Sequence, residues 1–130
     1  MDEVMIQVET EINPTENEGK VKKAVSNVFG DLITETETAH VGSILTAEAQ
    51  GRETLIPFRN LLRQDRVRDA ARRVFRAGTK GKSIFFCLNK QVAYAGHVSF
   101  SQETGESPLG SIKVSVKCEN PRELVAWLTT

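Results

Sequence analysis

The segment SIKVSVKCE, residues 111–119, sets the tightest limit on what this chain can fold into. Its apolar residues fall at every second position. Ile112, Val114, Val116 and Cys118 share one side, and Lys113, Ser115 and Lys117 the other. That is the period of a strand with one buried face and one wet face. MIQVETEI (5–12) repeats the pattern with Ile6, Val8 and Ile12. Residues 32–39 (LITETETA) alternate again, and VGSILTAEA (41–49) extends the sheet. Strands wet on one side belong to antiparallel or mixed sheets whose other side is covered by something else.

The covering elements are legible as amphipathic helices. Val21, Ala24, Val25, Val28 and Phe29 recur at helical spacing, with Thr15 and Glu18 as a capping box and Gly30 as the stop. Leu55, Phe58 and Leu62 lie on one helical face; Val67, Ala71, Val74 and Phe75 lie on another, roughly opposite at about 100° per residue. One straight helix cannot bury both sets. The spacing predicts two pieces, or a bend, near Gln64-Asp65, with Asp65 as N-cap and Gly78 ending the second piece. SIFFCLN (83–89) reads as a central strand. Asn89-Lys90 reads as a tight turn, QVAYAGHVSF (91–100) as the hairpin partner, and SQETGESPLG (101–110) as a polar loop. Asn120-Pro121-Arg122-Glu123 opens a last helix, docked by Leu124, Trp127 and Leu128. The expected architecture is an α+β layer, a sheet with helices packed on one face. The 130 residues, without repeats or low-complexity tracts, are expected to form a single domain over 1–130.

Several function classes are disfavoured. No apolar run approaches the ~18 residues of a membrane span, so no membrane role is expected. The acidic, alternating N-terminus does not read as a signal peptide. Cys87 and Cys118 sit in apolar runs and read as buried reduced thiols, in keeping with a cytoplasmic protein. His40 and His97 lie far apart with no ligand at metal spacing, so neither a metal nor a cofactor is expected. Glu35 and Glu37, at i and i+2 on a strand, read as its wet face rather than as a catalytic pair. GKS at 81–83 lacks the first glycine of a phosphate-binding loop, since Arg76 stands there, and its order is helix, loop, strand. It reads instead as a flexible loop offering Lys80 and Lys82 to an anion. No catalytic arrangement is legible, and the chain is expected not to be an enzyme. A weaker alternative is an enzyme acting on a phosphorylated small molecule clamped by Lys80 and Lys82.

Charge is distributed very unevenly. Residues 1–50 carry three lysines against ten acids, a net −7. Residues 51–82 carry ten bases against three acids, a net +7, and eight of those bases are arginine. The candidates are Arg52, Arg59, Arg63, Arg66, Arg68, Arg72, Arg73, Arg76, Lys80 and Lys82. Arg59, Arg63 and Arg66 form one helical row, to which Arg73 returns if the helix runs on. Arg68, Arg72 and Arg76 form another. Crowded like charges cost a helix a few tenths of a kcal/mol per pair, and the guanidinium fork matches phosphate oxygens. The pattern points to an anionic partner. A solvated face and an acidic protein surface, such as another copy's N-terminal half, stay open as alternatives.

VETEINPTENEGKVKKAV, GRETLIPFRNLLRQDRVRDAAR, FCLNKQVAYAGHVSF, and SPLGSIKVSV with NPRELVAWL resemble, in order and over nearly the whole chain, a family of small archaeal proteins. That family is described as RNA-binding or exosome-associated. The resemblance implies a fold similar to ribosomal protein L-five, with helices on one face of a curved, mostly antiparallel sheet. It also implies structured RNA, or an RNA-processing assembly, as partner. The family's recurrent words fall on Gly51-Arg52, on the stretch through Arg72, and on Leu88-Asn89-Lys90-Gln91. Asn89, Lys90 and Gln91 at a hairpin tip would donate to phosphate, 2′-OH or base edges.

Overall fold

The computed structural model describes residues 3–101 and 110–130. The elements run β1 (Met5–Ile12), α1 (Glu18–Phe29), β2 (Thr34–Thr38), β3 (Ser43–Gln50), a 3-10 turn (Arg52–Leu55), α2 (Ile56–Gln64) and α3 (Arg68–Ala77). Then follow β4 (Thr79–Lys80), β5 (Ser83–Asn89), α4 (Lys90–Tyr94), β6 (Phe100–Ser101), β7 (Ser111–Lys117) and α5 (Pro121–Leu128). The fold is α+β. One sheet holds the strands in the order β2-β3-β1-β7-β5-β4, with β6 beside β5, and every pairing is antiparallel. Among the described residues no helix is long and apolar enough to cross a membrane.

The period-two residues make the core. Val8 lies opposite both Ala47 and Val114, and Ile6 opposite Val116, so one face carries Ile6, Val8, Leu45, Ile84, Phe86, Leu88, Ile112, Val114 and Val116, all buried. Thr10 sits in the same face, and its hydroxyl donates to the Ser111 carbonyl at 3.1 Å. The expected stripe of α1 is buried in full. Phe29 (α1), Phe58 (α2), Phe75 (α3), Phe86 (β5) and Phe100 (β6) form a continuous ring cluster with centroids 4.9–6.1 Å apart. Such pairs add stability beyond their buried area. At Gly78, where α3 stops, the backbone passes so close to Phe85 that a Cβ would lie 1.9 Å from its carbonyl oxygen, so only glycine fits there. Cys87 and Cys118 are buried and not joined in a disulfide.

The break between α2 and α3 lies where the two apolar phases require it, but Asp65 does not open α3. Asp65 is the last residue of α2's final turn, and its carboxylate accepts from Val98 N at 2.8 Å and faces His97 Nδ1 at 3.1 Å. The turn closes as a Schellman motif. Arg66 N donates to Arg63 O at 3.2 Å, and Val67 N donates to Leu62 O at 3.1 Å. Arg66, with φ +58°, takes the left-handed position that glycine usually fills. At the other end of the chain, Asn120 caps α5 by accepting from Glu123 N at 3.1 Å, with Pro121 in the first turn, as the sequence predicts.

Three local expectations are corrected. The cap of α1 is Asn17, whose side chain accepts from Lys20 N at 3.2 Å, not Thr15. The segment 91–100 is not a hairpin strand. Asn89 accepts from Val92 N at 3.0 Å and starts the short helix α4, leaving only Phe100 and Ser101 to pair with β5. The loop at 79–83 is a tight hairpin between β4 and β5, turning on Gly81 (φ +57°) and Lys82. Most of the loop expected over 101–110 lies outside the described residues.

Lys90 explains why α4 displaces the hairpin. Its side chain is only 4% exposed, and its ammonium donates to Glu11 O at 2.7 Å and to the Glu16 carboxylate at 3.1 Å. Glu16 in turn accepts from Asn13 N at 2.9 Å and Asn13 Nδ2 at 2.8 Å. Burial pushes the Glu16 carboxyl up, but the hydrogen bonds from Asn13 and the Lys90 ammonium outweigh it and leave its pKa below the ordinary 4.5. A charge buried with one partner removed is costly, so Lys90→Met should cost about 3 kcal/mol in urea unfolding. Adding Glu16→Gln to it should restore part of the loss. Because the folded-state pKa of Glu16 is depressed, the stability it confers is fully present above pH 4.5 and disappears as pH falls through the lower folded value. Acid titration of stability should therefore show a smaller loss below pH 4.5 in Glu16→Gln than in the parent.

Candidate functional site

The arginines of residues 51–82 divide into those that hold the C-terminal helix and those that do not. A helix ends with unsatisfied carbonyls and a partial negative charge, which cations stabilise. At the end of α5, Arg59 Nε donates to Trp127 O at 2.8 Å. Arg63 Nη2 donates to Thr130 O at 3.1 Å, and Arg72 Nη2 to Thr129 O at 3.0 Å. Arg72 also bonds the Thr129 hydroxyl at 3.3 Å and Asp69 at 3.1 Å, so its guanidinium is fixed on three sides. Arg52 and Arg59 lie over the Trp127 ring at 5.2 and 5.1 Å, and Arg52 faces Glu123 at 3.7 Å. Part of the anion implied by the arginine count is thus the negative end of α5 itself.

Two grooves flank this junction. The first, of about 570 Å³, lies at the α2–α3 turn and is lined by Arg63, Arg66, Arg68, Asp69, Arg72 and Thr129. The second, of about 770 Å³, lies between α3 and α5. Arg72, Arg76, Thr79 and Arg122 line it together with Val125, Ala126, Thr129 and Thr130. The grooves meet at Arg72 and Thr129. The Arg68–Arg72–Arg76 row therefore forms one wall of a shared concavity. The side chains of Arg66, Arg68, Arg73, Arg76 and Arg122 have no ion pair or hydrogen-bond partner among the described residues.

The remaining predicted residues are placed elsewhere. Arg73 is exposed on α3 but lines neither groove, because the break at 65–67 removes it from the row of Arg59, Arg63 and Arg66. Lys80 is exposed on edge strand β4. Lys82 is held by Glu119 at 2.8 Å; the hydrogen bond, more than the attraction of opposite charges, raises the ammonium's pKa and lowers the carboxyl's. Asn89 spends its side chain on the α4 cap, and Lys90 is buried, so neither forms the exposed tip that was expected; Gln91 alone of the three is exposed. Sequence reasoning missed Arg122. As a single arginine in a charge-balanced segment it carries no local signal, and only the packing of α5 on α3 brings it opposite Arg76.

The acids of the first fifty residues do not sit on these arginines. Glu9 and Glu35 both lie opposite Thr46, Glu11 and Glu37 opposite Ile44, and Glu48 opposite Gln7. All five are exposed on the sheet face away from the core. Lys113 and Lys117 share that face. No cluster of three His, Cys, Asp or Glu side chains among the described residues could hold a metal ion.

A family model described as RNA binding matches residues 5–118. A UPF0201 protein of Saccharolobus islandicus is 38% identical over 125 residues, covering 96% of this chain and 86% of its own. A UPF0201 protein of Pyrobaculum aerophilum is 40% identical over 124 residues, covering 95% and 87%. The 2.2 Å crystal structure of the UPF0201 protein from Methanococcus jannaschii superposes with a TM-score of 0.87 at 26% identity, over 97% of this chain and 99% of that one. A protein from Archaeoglobus fulgidus, at 19% identity and a TM-score of 0.72, shares the fold. This chain belongs to the UPF0201 family of archaeal proteins, and it also matches the family model described as RNA binding.

Proposed function

We propose that this protein binds structured RNA through the phosphate backbone, on the concave surface between the α2–α3 turn and the end of α5. The observation that carries the reading is Arg66. It lines the first groove beside Arg63, Arg68 and Arg72, has no side-chain partner among the described residues, and occupies a left-handed position where glycine would be less strained. Strain kept at an exposed, unpaired cation points to a use outside the fold. Arg63 and Arg72, already fixed by α5, present the rest of their guanidinium donors without further ordering. The acidic open face of the sheet repels nucleic acid, so binding is one-sided. Trp127 lies beneath Arg52 and Arg59, so it offers no free platform for base stacking. Within an RNA-processing assembly the same concave surface would carry the RNA contact.

A second reading is favoured by the opposite charges of the two faces: a second copy could dock its acidic sheet on the arginines. Light scattering across protein concentration separates the two. Under the docking reading, Arg66→Glu with Arg73→Glu abolishes self-association; under the RNA reading it abolishes RNA binding and leaves the mass unchanged.

Four arginines line the groove at the α2–α3 turn: Arg63, Arg66, Arg68 and Arg72. If each meets one phosphate, log K for a hairpin RNA should fall against log[salt] with a slope of about −3 to −3.5. Affinity without salt dependence would overturn the backbone reading. Arg66→Gly should stabilise the fold by about 0.5–1 kcal/mol, because glycine relieves the left-handed strain but costs more chain entropy. The same variant should weaken RNA binding and make the salt slope shallower by about one unit.

A further inference from the structure

We infer that the groove between α3 and α5 receives an unpaired nucleotide of the bound RNA, while the neighbouring groove at the α2–α3 turn holds the phosphates beside it. This rests on the RNA reading and adds to it the kind of RNA recognised. The two grooves differ in chemistry. Around the first, only Thr129 and Asp69 interrupt a lining of arginines, which suits phosphates and little else. The second has apolar surface in its lining, from the exposed Ala126 and the edge of the buried Val125, beside Arg72, Arg76 and Arg122. A phosphate gains nothing from such a surface and loses hydration there. A flat heterocycle buries its face on it.

The dimensions and the polar groups fit the same occupant. About 770 Å³ lies within the roughly 300–1,000 Å³ of small-ligand sites. Arg76 and Arg122 have no side-chain partner among the described residues, so their planar guanidiniums can stack on a base or donate to its edge. The hydroxyl of Thr79 donates to Phe75 O at 2.6 Å, and that of Thr130 donates to Ala126 O. With their protons committed, both hydroxyls of this lining are left with acceptor capacity alone, and a ribose 2′-OH or an exocyclic amine is a donor of the right kind. Arg72, fixed on three sides, divides phosphate groove from base groove without needing to move. Bases inside a continuous duplex cannot reach such a surface, since they are stacked and paired. A bulge, loop or strand end can supply one.

The test compares three RNA hairpins of one stem sequence, each closed by a non-nucleotide linker so that no loop base is free: fully paired, with a single-nucleotide bulge, and with an abasic residue at the bulge. The bulged hairpin should bind about tenfold more tightly than either of the others, the scale of one stacked base. Ala126→Gln, a neutral change at an exposed helical position, should bring the ratio of bulged to abasic affinity close to one. Equal affinity for bulged and abasic hairpins, or a ratio unchanged by Ala126→Gln, overturns the nucleotide site and leaves the phosphate reading standing. Absence of binding to all three removes the RNA reading itself, and this inference with it.

Discussion

The helix layer covers one face of the sheet and leaves the other in water, and the distribution of charge follows from that. The open face of β1, β2 and β3 is largely polar and carries Glu9, Glu11, Glu35, Glu37 and Glu48. The arginines sit on α2 and α3, beyond the buried face. Helices pack about 10 Å above a sheet or another helix, while charges are screened over about 8 Å at physiological salt. Glu9, Glu11, Glu35, Glu37 and Glu48 are therefore separated from the arginines by the core and by more than a screening length. A neutral chain thus carries these five glutamates on the open face of its sheet and the arginines of α2 and α3 on its helix layer.

The arginines serve two ends at once. The terminal carbonyls of α5 need donors, and Arg59, Arg63 and Arg72 provide them. This fixes the C-terminal helix against α2 and α3 and brings Arg122 and the apolar side of α5 opposite the Arg68–Arg72–Arg76 row. The concavity exists because guanidiniums reach over the end of a helix, and its free cations are those left once that end is satisfied. The phase change between the apolar faces of α2 and α3 forces a reversal at 65–67. The reversal places Arg66 at a left-handed backbone position, the one held by a non-glycine residue among those described, and in the lining of the first groove. Folding and the proposed recognition thus draw on the same short segment.

Much of this was legible in advance. The alternation of Ile112, Val114 and Val116 marks a strand in any context, since a slip by one residue would turn every apolar side chain into water. The cap at Asn120 with Pro121 and the stop at Gly78 are likewise local. The misreadings occurred where two local signals compete. Thr15 and Asn17 are both good caps, and the choice goes to Asn17 once Glu16 is drawn to Lys90. Val92, Tyr94, Val98 and Phe100 alternate like a strand, but Asn89 caps a helix and Lys90 finds a buried carboxylate seventy-four residues away. Asp65 looks like the start of α3; the backbone N–H of Val98 claims it instead.

By itself the sequence determined the one-sided sheet, the helices that cover it, the break in the middle helix and the concentration of arginine there, because each is written in spacings of a few residues. Only the tertiary structure decided which arginines remain free. That depends on where the carbonyl end of α5 comes to rest, on the burial of Lys90 against Glu16, and on Arg122 arriving from a segment with no charge signal of its own. A guanidinium's partner is set by distance in space, and the chain brings residues more than fifty positions apart within 3 Å of one another.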